Sequence, residues 1–146
     1  MGDYTSIKLM ASVDAKSAEA IHLAHSIHEH QPRYTAPVNI WENVALNVDD
    51  CPDWVGMWGA ITRSNFIPFG GIQTLPREFD GVDTVVPTPD SHVWGFSCSV
   101  KSGWWVGFFL ERILPQMLTA PCEVWIYDEA IDDDVRIMTI NPEVNP

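Results

Sequence analysis

Two stretches of the chain alternate between apolar residues and mostly small or polar ones. In the first, Ile7, Leu9, Ala11 and Val13 share one face, and Lys8, Met10 and Ser12 occupy the other. In the second, Trp94, Phe96, Cys98 and Val100 oppose Val93, Gly95, Ser97 and Ser99. Period two places successive side chains on opposite faces of a strand, so each stretch reads as a half-buried β-strand.

Each strand leads into helix-compatible sequence. Asp14 offers its carboxylate as an N-cap, and residues 15–29 carry Ala20, Leu23, Ala24 and Ile27 as an inner stripe. Gln31-Pro32 ends that helix. Residues 38–48 are expected to form a second strand, with Val44, Leu46 and Val48 facing one way. After Ser102-Gly103 breaks the 93–100 strand, residues 104–117 read as a helix with Val106, Phe109, Leu110, Ile113 and Met117 inside, its last turn disturbed by Pro115. Residues 123–128 and 135–140 read as a hairpin around an acidic connection.

Residues 49–90 hold five of the eleven prolines and five of the nine glycines. Part of that segment is expected to be ordered. Trp54, Met57, Trp58 and Ile61 recur at helical spacing behind Pro52, giving a short helix near 52–62, and 84–86 reads as a short strand. At 146 residues the chain suits one domain. Two strand–helix–strand units predict an α+β fold of ferredoxin-like plan: a mainly antiparallel sheet, helices on one face, and an insertion at about 49–90.

Charge narrows the function classes. Twenty acidic residues against eight basic ones give a net −12, of which −8 falls in residues 74–146. Asp128, Glu129, Asp132, Asp133 and Asp134 crowd one connection. Such a surface repels nucleic acid and favours basic partners. The longest apolar window, 104–110, falls far short of the ~20 residues of a membrane span. Cys51, Cys98 and Cys122 make an odd count without Cys-x-x-Cys spacing, against a disulfide framework or zinc site. No secretory signal opens the sequence, so we expect a cytoplasmic protein without membrane association.

No cofactor or metal site is expected. His22, His25 and His28 form one helix face, but the spacing of a hydrolytic zinc helix is absent, and His22 and His25 are expected to point away from the apolar stripe. Cys98 and His92 lie six residues apart on one strand, roughly 20 Å, too far for a dyad. Glu42 falls on the apolar side of the 38–48 strand if alternation is strict, and turns outward if the strand begins later. Phe69-Gly70-Gly71 reads as a turn with nothing basic nearby in sequence.

The seven tryptophans remain. Trp104, Trp105 and Phe108 lie off the inner stripe of their helix and form a candidate exposed patch. The reading these features support is a non-enzymatic acidic protein that neutralises or inhibits a basic protein partner by stoichiometric binding, of immunity-protein or anti-defence-inhibitor type. Its surface comprises Trp104, Trp105 and Phe108 with Asp128, Glu129, Asp132, Asp133 and Asp134; a homodimer through the same helix fits the pattern equally. The alternative is a ligand-sequestering protein whose aromatic pocket uses Trp54, Trp58, Arg63 and Arg112. A weaker one is a small hydrolase using Glu42 or the His22/His25/His28 helix.

Overall fold

The computed structural model describes residues 3–31, 39–71, 75–76, 79, 84–131 and 134–143. Strand β1 (Tyr4–Ser12) lies inside a four-stranded sheet, between β2 (Val93–Lys101) and β3 (Cys122–Asp128), and β4 (Arg136–Ile140) completes the order β2-β1-β3-β4. Every neighbouring pair is antiparallel. The register carries the alternation across the sheet: Ile7 faces Cys98 and Ile126, and Leu9 faces Phe96 and Val124. These side chains form one buried face. The opposite face carries Lys8, whose ammonium sits 3.8 Å from the centre of the Trp125 ring, and the exposed Met10 and Ile137.

Helix α1 (Ala15–His30) begins where expected. The Asp14 carboxylate accepts a hydrogen bond from the Ser17 N–H at 2.7 Å, satisfying one of the helix's unpaired N-terminal donors. Helices α2 (Ile40–Asn47) and α3 (Asp53–Gly59) and the short turn α4 (Phe66–Phe69, broken at Ile67) follow. Their Trp41, Trp54, Trp58 and Ile67 enter the same core as the sheet. The Gly59 position lets α2 and α3 approach closely: a Cβ there would lie 2.7 Å from the Glu42 backbone nitrogen.

The expected strand over 38–48 is corrected: residues 40–47 of it form α2. Asn39 decides it. Its Oδ1 accepts the Glu42 N–H at 3.1 Å, and its Nδ2 donates to the Gly59 carbonyl at 2.9 Å. Ile40, Trp41 and Val44 then share a buried helical face, while Leu46, placed inside by the alternating reading, is exposed. Among the described residues the first strand–helix–strand unit therefore lacks its second strand. The class is α+β with an antiparallel sheet; the ferredoxin-like connectivity does not follow from it.

The expected helix over 104–117 is a continuous helical run with a widened middle. It starts as α5 (Trp104–Phe108), passes through a π-helical turn (Phe109–Ile113) and ends as α6 (Leu114–Met117). The Leu114 N–H bonds to the Phe109 carbonyl, five residues back. Pro115 supplies a physical reason, since its ring crowds the carbonyl four residues earlier in a regular α-helix. The hairpin forms as expected, with Val124 opposite Met138 and Trp125 opposite Ile137. Val85 makes an isolated bridge to Gly95 on the outer edge of β2, in place of the short strand expected at 84–86.

Candidate functional site

One end of the sheet gathers the features singled out by sequence. β2 ends at Lys101, opposite Tyr4 at the start of β1, and Thr5 pairs in turn with Asp128 at the end of β3. Side-chain and main-chain bonds lock these three ends together. The Thr5 and Ser102 hydroxyls are 2.6 Å apart, Ser102 N–H donates to the Asp3 carbonyl at 2.9 Å, and Glu129 N–H donates to the Tyr4 carbonyl at 3.1 Å. Trp104 follows Ser102 by two residues. With strands about 4.8 Å apart, the turn carrying Trp104 and the acidic turn are separated by roughly 10 Å across β1.

The aromatic trio divides. Trp104 is 71% exposed and makes an edge contact with Phe108, ring centres 6.0 Å apart. Phe108 is half-buried. The expectation for Trp105 is corrected: at 4% exposure it belongs to the core, its indole lying over Gly103, where a Cβ would meet it at 2.4 Å. Among the acids, Glu129 and Asp134 are exposed and Asp128 is half-buried; Asp132 and Asp133 lie outside the described residues. Local structure uses some of these carboxylates: Asp128 accepts from Ala130 N–H, Asp134 from Val135 N–H, and Glu129 Oε1 from Tyr4 N–H at 3.2 Å. Ile131, which sequence reasoning passed over, stands 78% exposed among them. A β-branched apolar residue inside a run of acids was the available signal.

The residues offered for a ligand pocket are not brought together. Trp54 and Trp58 are sealed in the core, and the Trp54 indole donates to Ser17 Oγ at 2.8 Å, so neither ring is open to a ligand. Arg112 is exposed on the π-helical turn. Arg63 instead lines a cavity of about 510 Å³ with Tyr4, Phe66 and Lys101.

The histidine face also differs from expectation. His22 and His28 are exposed, but His25 is turned inward: Trp94 Nε1–H donates to its Nε2 at 3.0 Å, and Phe69 meets the ring edge-on at 5.0 Å. An imidazole accepting at Nε2 is neutral. Burial, with smaller contributions from His28 and His22, lowers the His25 pKa to about 4. His22 Nδ1 lies 2.8 Å from the Pro87 carbonyl, and His28 stacks on Phe69. Among the described residues no group of three His, Cys, Asp or Glu side chains is placed to hold a metal ion. Glu42 lies on the solvent side of α2, which removes the apolar setting that made it a candidate acid.

Cys51, Cys98 and Cys122 form no disulfide. Burial pushes Cys98 up to about 12 and Cys122 up to about 11, and also raises the half-buried Cys51. Folded protein treated with a thiol-reactive disulfide reagent at about pH 8 should leave Cys98 and Cys122 unmodified until denaturant is added. Rapid labelling of Cys98 in the folded protein would contradict this placement.

No family model, curated protein or solved structure matches the chain.

Proposed function

We propose that this protein acts by stoichiometric binding to a basic protein partner, as an inhibitor or neutralising protein working in the cytoplasm. One observation carries the reading. Trp104 and Ile131, both largely exposed, stand at the end of the sheet that also bears Glu129 and Asp134. Interfaces draw their affinity from a few desolvated aromatic anchors and their association rate from complementary charge around them. A net charge of −12 supports a basic partner and opposes a nucleic-acid one. No helix among the described residues is long and apolar enough to cross a membrane. Three unpaired cysteines agree with a reducing compartment.

The two components are separable by kinetics. Reversing charge with Glu129→Lys and Asp134→Lys should slow association about tenfold at low salt and lose its effect as salt rises. Trp104→Ala should chiefly accelerate dissociation, roughly thirtyfold for an anchor of about 2 kcal/mol. Surface plasmon resonance with a captured partner reads both. Kinetics indifferent to both changes would remove the proposal.

A further inference from the structure

The fold assembles a cationic site that the sequence disperses. Among the described residues, Gly71 bridges to Ser99 on the outer edge of β2, with Ser99 N–H donating to the Gly71 carbonyl at 2.8 Å. That bridge draws the turn after α3, which carries Arg63, and α4, which begins at Phe66, against the end of β2, which carries Lys101. Tyr4 closes the site from the start of β1, opposite Lys101. Together they line the cavity of about 510 Å³, a volume in the range of small-molecule sites.

Its chemistry runs against the rest of the molecule. Two of the eight cationic residues face this space, and no carboxylate is among the described residues lining it. Neither Arg63 nor Lys101 is ion-paired among the described residues, whereas Lys16 is held by Asp50 elsewhere. Tyr4 and Phe66 are 41% and 46% exposed, large rings left in contact with water at the cavity. Two cations without a counter-charge among the described residues suit a dianion, and two open aromatic rings suit a planar group attached to it.

The geometry points to a binding site for a phosphomonoester joined through a sugar-sized linker to a planar heterocycle, a ligand of mononucleotide size. Arg63 and Lys101 meet the phosphate, and Tyr4 and Phe66 contact the ring. A small ligand senses these local charges, because screening limits electrostatic reach to about 8 Å at physiological ionic strength. A nucleic-acid strand extends beyond that distance and meets the acidic surface. The cavity is lined by neither Trp104 nor the acidic turn, although the main chain of its Tyr4 is bonded to Glu129 at the edge of the proposed partner surface.

Isothermal titration of the full chain with adenosine 5′-monophosphate tests it, with adenosine, inorganic phosphate and phenyl phosphate as the other arms. The nucleotide should bind at about 1 mM or below, and adenosine and phosphate each about tenfold more weakly. Arg63→Ala and Lys101→Ala should each weaken nucleotide binding about tenfold, and Lys16→Ala should leave it unchanged. Circular dichroism checks that each variant keeps the wild-type fold, which the exposure of all three side chains favours. Absence of nucleotide binding, or undiminished binding by the Arg63→Ala/Lys101→Ala double variant, would overturn the assignment. Phenyl phosphate binding as tightly as the nucleotide would overturn the heterocycle part of it.

Discussion

Replacing Trp41 with alanine should cost about 3–5 kcal/mol of folding stability, the usual loss for a buried tryptophan. The indole is fully buried where α2 meets the rest of the core. Its ring centre lies 5.6 Å from that of Trp54 and 6.4 Å from that of Trp94, and its Nε1–H donates to the Ile67 carbonyl at 3.2 Å. Truncation therefore removes apolar burial, leaves a large cavity and orphans a buried carbonyl together. Domains of this size are stable by only about 5–15 kcal/mol, so one substitution takes a large share. Urea titration followed by far-ultraviolet circular dichroism measures the change. Trp104→Ala provides the contrast, because an exposed side chain should shift stability by about 0.5 kcal/mol or less. Equal losses for the two variants would mean that α2 does not pack as described.

Acid should destabilise the protein through one imidazole. His25 is held neutral in the fold, its pKa lowered from 6.5 to about 4, first by burial and then by His28 and His22. The unfolded chain takes up this proton near pH 6.5, and the folded chain resists until about pH 4. The contribution of a neutral His25 is thus complete above about pH 6.5 and declines as pH falls toward 4, by about 2–3 kcal/mol. Protonation would also place a donor against the Trp94 indole N–H, breaking the 3.0 Å bond between them. Denaturant unfolding at pH 7 and pH 4.5 for wild type and His25→Gln isolates this group from the carboxylates and the other histidines. The acid-induced loss should shrink by about 2–3 kcal/mol in the variant. An identical pH dependence in both proteins would show that His25 is not the buried neutral group described.

Much of the scaffold was readable because its periodicity is unambiguous. The alternation of Ile7 to Val13 and Trp94 to Val100 gave β1 and β2, Asp14 marked the start of α1, and the spacing of Trp54 and Trp58 gave α3. The failure at α2 has a specific cause. Val44, Leu46 and Val48 fit period two, while Ile40, Trp41 and Val44 fit a helical face, and only the Asn39 cap decides between them. His25 was misplaced because α1 packs on two sides: Ala20 and Ala24 enter the core on one, and His25 meets Trp94 and Phe69 beside it. Trp104 and Trp105 are adjacent, and the start of α5 at Gly103 sends one ring outward and the other in. The convergence of Arg63 and Lys101 depends on the pairing of Gly71 with Ser99, a long-range contact without a local signature.

Comparative affinity purification tests the central proposal most directly. Wild-type protein, Trp104→Ala, and the Glu129→Lys/Asp134→Lys pair are each used as bait in lysate from the native source, and bound proteins are quantified by mass spectrometry. The indole-and-carboxylate end of the sheet, if it is the contact surface, yields a basic protein recovered in near-equimolar amount by wild type and depleted with both altered baits. Recovery of the same proteins in the same amounts by all three baits would contradict it.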